Sequence, residues 1–278
     1  MARRLFPFGL VAAAAVAVAF LALPLVAIFL RVPPVRLLRQ LGNPVVVDAL
    51  VVSLKTTLIA QALILVLGTP TAYLLATRRF RGRSLVVTLV ELPLVLPPAV
   101  AGIGLFAAFG RTGLFGSTLS AFGVAIPFTE AAVVLAVAFV SSPLYVRQAI
   151  AAFESVDPAL VDASRTLGAG EARTFRRIAL PLAAGGLAAG AALAFARGLG
   201  EFGATIMFAG SLQGVTQTLS LAIYYEFDRI NGFDATLAMG GVLVLVSAII
   251  LLTLRVGLSW QRSPSNTSPS LFGLSSSR

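Results

Sequence analysis

Long apolar runs, rather than short alternation or a narrow helical stripe, dominate this chain. A helix that crosses a bilayer needs roughly 20 mostly apolar residues, and six stretches reach that length. The first is residues 8–30, preceded by Arg3 and Arg4; the second lies within 46–76. The third is 85–109, the fourth 131–150, the fifth lies within 182–208, and the sixth is 237–258. The first run has a rival reading as a cleaved signal peptide. It exceeds the roughly 7–15 residues of a signal-peptide core, which favours a retained span. The expected fold is all-α, a polytopic membrane protein of six transmembrane helices.

Arginines near the span ends divide into two sets. Arg3, Arg4, Arg78, Arg79, Arg81, Arg83, Arg147, Arg165, Arg173, Arg176, Arg177, Arg255 and Arg262 fall on one side. Arg31, Arg36, Arg39, Arg111 and Arg229 fall on the other. The richer side is expected to be cytoplasmic, with both termini there. The group from Arg31 to Arg39 runs against the rule and sets the first span apart from a possible five-span core. Three segments follow: 1–45, a helix with its outer loop; 46–260, the main transmembrane domain; and 261–278, a Ser- and Pro-rich tail expected to be disordered.

Composition changes the picture by exclusion. Hydrophobic residues make up 58% of the 278 and charged residues only 12%, against about 25% charged in soluble domains. A soluble globular domain and a disordered chain are both ruled out. With no Cys and no His, disulfides, Cys or His metal ligands and imidazole bases are absent. The only lysine, Lys55, follows Leu54, so there is no Gly-Lys-Ser/Thr phosphate loop for ATP. The net charge of +10 would suggest nucleic acid in a soluble protein. Here cytoplasmic arginines account for it, and no nucleic-acid partner is expected.

Loops between spans are usually short, yet residues 151–181 separate the fourth and fifth. Asp157 followed by Pro158 reads as a helix cap with proline at the first position. Leu160, Ala163, Ser164 and Leu167 then share one face. Gly168 ends this helix. Glu171 is expected to begin a second short helix through Phe175 and Ile178, with Pro181 marking entry to the fifth span. Small residues at the centre of the first helix let another protein approach closely. The alternative is a helix lying on lipid, but that predicts a longer apolar face with basic flanks. Asp157, Asp162 and the sharp turn at Gly168 favour a protein-docking helix.

The loop resembles one in the permease subunits of ABC importers. Their pattern is Glu-Ala-Ala, three residues, Gly, nine residues, then Ile, any residue, Leu-Pro. Here Asp162-Ala163-Ser164 is followed at the same spacing by Gly168 and by Ile178-Ala179-Leu180-Pro181. The first triplet departs, with Asp for Glu and Ser for Ala; charge or size is kept in each. Two further stretches are similar to the molybdate branch, close to its sulfate and thiosulfate relatives. They are Leu92-Pro93-Leu94-Val95-Leu96-Pro97-Pro98-Ala99-Val100-Ala101-Gly102 and the run from Phe195 to Phe208, ending Thr205-Ile206-Met207-Phe208. Thr216-Gln217-Thr218-Leu219, with Ile223-Tyr224, leans the same way. The resemblance covers roughly 46–260.

The resemblance implies the type I importer permease fold in a prokaryotic cell membrane. It implies a homodimer lining one pathway, two cytoplasmic ATPase subunits, and an extracytoplasmic oxyanion-binding protein. ATP and magnesium would be bound by the ATPase, with no cofactor in this chain. Asp157, Leu160, Asp162, Ala163, Ser164, Leu167, Gly168, Ile178, Leu180 and Pro181 would couple to the ATPase. Tungstate, sulfate or thiosulfate remain alternative substrates.

The residues themselves have physical readings beside this one. Pro93, Pro97 and Pro98 remove backbone donors and break the third span, marking either a cavity or moving joint or a packed kink. Gly198, Gly200 and Gly203 allow close helix approach. Arg197 and Glu201 are four apart and can pair. Charges deep in a span cost roughly 2.5–3.5 kcal/mol each, so they either line a gate or satisfy each other. Pro97, Pro98, Arg197, Glu201, Gly203 and Thr205 form the candidate pathway or gate. Lys55 and Glu91 are expected to snorkel to the interfaces. The stretch from Thr216 to Arg229, with Tyr224, Tyr225 and Phe227, is either a surface for the binding protein or an interfacial aromatic belt. An ion-coupled secondary transporter would show paired repeats, and a membrane enzyme would show convergent catalytic groups. Neither explains the loop.

Overall fold

A computed structural model describes residues 2–230 and 232–261, with side chains over 9–230 and 232–253. The Ser- and Pro-rich tail from 262 onward lies outside the described residues. The described residues are helical throughout, without strands. In order they are α1 (Ala2–Arg31), α2 (Pro34–Gln40), α3 (Pro44–Thr77), α4 (Arg83–Val95), α5 (Pro98–Phe109), α6 (Gly116–Ala121) and α7 (Glu130–Glu154). Then come α8 (Pro158–Thr166), α9 (Glu171–Thr174), a π-turn (Phe175–Ala179), α10 (Leu180–Leu199), α11 (Gly203–Ala209), α12 (Leu219–Phe227) and α13 (Phe233–Gln261).

The helix α7 is the axis of the bundle. It is largely apolar, and residues around its whole circumference are buried, from Ala132 and Val133 through Val140 and Tyr145 to Phe153, with the charged Glu130, Arg147 and Glu154 toward its ends. A helix of that kind needs neighbours all round, and α3, α10, α4, α5 and α11 supply them. Glycines in α10 set the closest approach. A Cβ added at Gly186 would lie 2.5 Å from the Ala152 Cβ, and one at Gly190 would lie 2.9 Å from the Gln148 Cβ. Such small-residue contacts replace the hydrophobic drive that lipid does not provide.

Five described helices are long and apolar enough to span a membrane. The expected third span is a bent pair instead: the chain bends by 116° between α4 and α5. Pro93 does not break α4, which runs through it. The break is at Leu96 and Pro97, with ψ of 133° and 131°. Each precedes a proline, and that position disfavours the helical region. Two such residues in succession leave the helix no way to continue.

A second expectation is corrected at the fifth span. No separate short helix ends before Pro181; α9, the π-turn and α10 form one continuous helix, Glu171–Leu199. Proline clashes with the carbonyl four residues back, which here belongs to Arg177. The widened turn, in which the Leu180 N–H donates to the Phe175 carbonyl, relieves that clash. The same run stops at Gly200 and resumes as α11, so the apolar stretch to Phe208 is also interrupted.

The first helix stands apart, with its described spanning residues unburied and its packing made against α13. Arg36 of α2 pairs with Asp234 of α13 at 2.6 Å. Lys55 and Glu91 do not extend alone to an interface. Lys55 Nζ lies 2.7 Å from Glu130, and Glu91 lies 3.8 Å from Arg147.

Candidate coupling loop and membrane helix breaks

The loop forms as local chemistry dictates. Asp157 caps α8, its Oδ1 accepting from the Ala159 N–H at 2.9 Å, with Pro158 at the first position. At the other end Gly168 adopts φ +79°. Its N–H donates to the Arg165 carbonyl at 2.9 Å, and the Ala169 N–H donates to Ser164 at 3.1 Å. This paired closure needs the left-handed residue that glycine supplies. Ser164 in place of alanine adds a tie: its hydroxyl is 3.0 Å from that of Thr174, which is buried.

The apolar face of α8 is left uncovered. Leu160 is 48% exposed and Leu167 87% exposed, far more than their own fold requires. Leu160, Ala163, Ser164 and Leu167 line a cleft of about 620 Å3 together with Ile178 and Pro181. Leu180 is not among them; it packs against the bundle interior beside Ala179. Asp162 faces the opposite side of α8, 3.5 Å from Arg165. Two pairs invisible to sequence spacing tether this end: Arg78 with Glu171, and Arg83 with Glu154 at 2.7 Å.

The second constellation lies where α5 and α11 begin. Both are short helices that start after a break, and they pack on each other. A Cβ added at Gly203 would sit 2.8 Å from the Pro98 Cβ, and one at Gly102 only 2.5 Å from the Ala204 carbonyl oxygen. Glu201, only 1% exposed, bridges the α10–α11 break. Its Oε1 accepts from the Ala204 N–H at 2.8 Å, capping α11, while Oε2 lies 2.7 Å from Arg197 Nη1. That second contact is a charge pair not aligned as a hydrogen bond. Arg197 keeps about a third of its side chain exposed, so the pair joins a buried anion to an accessible cation. Thr205 is fully buried, and its hydroxyl has no hydrogen-bond partner among the described residues. Irregular backbone and unpaired polar groups at this depth belong beside protein or water, not lipid.

Some participants carry no sequence signal. Ser141 is buried with a hydroxyl that has no hydrogen-bond partner among the described residues, and it lies with Thr57 against Gly198. Only tertiary contact joins residues that far apart in the chain. Phe128 is the sole described non-glycine residue at positive φ, +64°. It packs against Gly210 and lies 6.0 Å, ring to ring, from Phe106. A bulky side chain in that region stores strain. Tyr224, Tyr225 and Phe227 are all substantially exposed on or at the end of α12, and Tyr224 contacts the Phe202 ring at 5.0 Å.

Residues 65–260 match the family described as the binding-protein-dependent transport system inner membrane component. The molybdenum transport system permease protein ModB of Mycobacterium tuberculosis is 45% identical over 235 residues, 84% of this chain and 88% of the relative. The protein of that name in Escherichia coli K12 is 40% identical, covering 74% and 90%. The sulfate transport system permease protein CysT of Salmonella typhimurium is 36% identical, covering 76% of each. Among solved structures, a bacterial importer of the acidic polysaccharide alginate superposes with a TM-score of 0.70 at 16% identity, covering 94% of this chain and 97% of its own. The MetNI methionine ABC transporter, inward facing, gives 0.63 at 20% identity, covering 79% and 97%. The fold is thus the type I importer permease fold of a multi-pass membrane protein, and the chain belongs to the family of inner membrane components of binding-protein-dependent transport systems.

Proposed function

We propose that this chain is the membrane-spanning permease subunit of an ATP-driven importer of molybdate. The observation that carries the substrate is the likeness to ModB proteins, which is higher in identity than the likeness to CysT. The observation that supports coupling is α8: capped at both ends and tied to α9, yet with its leucines exposed among the described residues. A separate ATPase subunit fits that face. The chain supplies no ATP site of its own, and ATP with magnesium belongs to the ATPase.

In this reading the Arg-rich end is cytoplasmic, and two copies line one pathway. Closure of two ATPases draws the two α8 helices together. The stiff continuous helix Glu171–Leu199 carries that displacement from the loop to the break at Glu201. Pro97, Pro98, Gly203 and Thr205 form the joint, and Arg197 offers positive potential to a passing oxyanion. A binding protein delivers the anion at the opposite end, where Tyr224, Tyr225 and Phe227 are exposed. Tight selection belongs to that binding protein, because a pathway that bound its anion strongly would release it slowly.

The test is cellular molybdenum in a strain lacking the chain, grown on trace molybdate, with labelled sulfate uptake in parallel. Lost molybdenum with normal sulfate uptake is expected. Normal molybdenum with lost sulfate uptake would overturn the substrate and keep the architecture.

A further inference from the structure

The turn between α3 and α4 places Arg78, Arg79, Arg81 and Arg83 within six residues. Two of them are engaged. Arg78 pairs with Glu171, and Arg83 donates to the Leu75 carbonyl at 2.6 Å and to Glu154 at 2.7 Å. Among the described residues Arg79 makes neither an ion pair nor a hydrogen bond. It lines a cavity of about 800 Å3 enclosed by this turn, the end of α7 and the side of α8 that carries Asp162. This is the opposite side of α8 from its exposed leucines.

We propose that this cavity binds the headgroup of an anionic phospholipid from the adjoining leaflet. The walls combine two chemistries. Arg79, Arg83 and Arg165 contribute three positive charges, and Glu154 and Asp162 contribute two negative ones, leaving one net positive charge (3 − 2 = +1). That balance suits a singly charged phosphodiester. Arg165 reaches Asp162 only at 3.5 Å, both groups being exposed, so it is free to turn toward a ligand. The Ser84 hydroxyl adds a donor. Tyr73, Phe80 and Phe153 supply apolar wall, which a free hydrated phosphate would leave wetted and which suits the glycerol and first methylenes of a lipid. The cavity lies among the end of α3, the start of α4 and the end of α7, which in the proposed orientation meet the cytoplasmic headgroups, where clustered arginines attract anionic lipid.

The occupant would bridge α8 to the bundle beside the face proposed for the ATPase, so lipid composition would tune coupling. The placement rests on the orientation proposed above, but retention of lipid by the solubilised chain does not, and it is therefore the readout. The full-length chain is purified from nanodiscs of phosphatidylglycerol and phosphatidylcholine in equal parts. Bound lipid is counted by native mass spectrometry under progressive delipidation. One phosphatidylglycerol per chain should outlast phosphatidylcholine. Arg79→Gln should weaken its retention about fivefold. Arg81→Gln removes the same charge from the same turn, but it does not line the cavity and should leave retention unchanged. Equal retention of the two lipids, or equal loss in the two variants, would overturn the proposal. Displacement of the lipid by millimolar inorganic phosphate would overturn the lipid as occupant and assign the cavity to a free oxyanion.

Discussion

The loop at α8 and the break at Glu201 solve the same problem, ending a helix where the chain must turn, by opposite means. At α8 every closing contact is local. Asp157 reaches two residues ahead, and Gly168 and Ala169 close back on Arg165 and Ser164. The product is a locally closed, exposed element whose leucines are left uncovered among the described residues. At the break the closing group is a buried carboxylate, set among glycines and beside the start of α5. Its stability depends on Arg197 and on tight contact between α5 and α11. The first region is built to be grasped from outside, the second to be held from within. A substitution in the loop should therefore sever function and spare the fold, and one at the break should damage function and fold together.

The largest effect is expected at Arg197→Ala. It leaves Glu201 buried and uncompensated, which costs about 3–5 kcal/mol for a buried pair, reduced here because Arg197 is partly exposed. Thermal unfolding in detergent should show a clearly lowered midpoint. Adding Glu201→Ala should recover only part of that loss, because the carboxylate also caps α11. If the double variant regains full stability yet does not transport, Arg197 is a pathway residue and the pair is not needed for structure. If it regains both, the pair is purely structural and the contrast between the two regions weakens.

Next is Gly168→Trp. Open space surrounds a Cβ at this position, so no clash inside the chain is expected. A non-glycine residue at φ +79° costs about 1–2 kcal/mol, confined to the loop. The expected outcome is normal membrane insertion and an unchanged unfolding midpoint, with ATPase association and transport lost. Gly168→Asn, which tolerates the left-handed region, should retain most of the transport. Normal transport by Gly168→Trp would refute the coupling role of α8.

The same contrast explains what could be read from the sequence. The cap at Asp157, the stop at Gly168 and the spacing to Ile178 and Pro181 depend on residues a few positions apart, so pattern reveals them. The Arg197–Glu201 pair was legible because it spans one helical turn. Its second duty, capping α11, was not, because no local pattern marks the place where α10 stops. Lys55 shows the limit clearly. From its position it looked like a lone cation seeking water, yet its partner Glu130 lies 75 residues away. Pro97 and Pro98 break the third span as expected and Pro93 does not; locating the break needed the rule for the residue before proline, applied twice. The continuity of Glu171–Leu199 through Pro181 escaped because a π-turn has no residue signature of its own.

The smallest effect, and the sharpest test of local construction, is Asp157→Ala. A nine-residue helix is marginal in isolation, and loss of a side-chain cap costs about 1 kcal/mol. The frayed fraction of α8 should rise about fivefold, visible as faster hydrogen exchange at its first amides, with the global unfolding midpoint unmoved. Transport should fall only in proportion to the capped fraction lost, since only capped α8 presents Leu160, Ala163 and Leu167 together. Asp157→Asn separates the two properties of this residue, because asparagine caps as well as aspartate but carries no charge. If it transports normally, Asp157 acts through the helix it starts. If exchange is normal but transport still falls, its charge meets a cation on the partner, and α8 is read electrostatically as well as by shape.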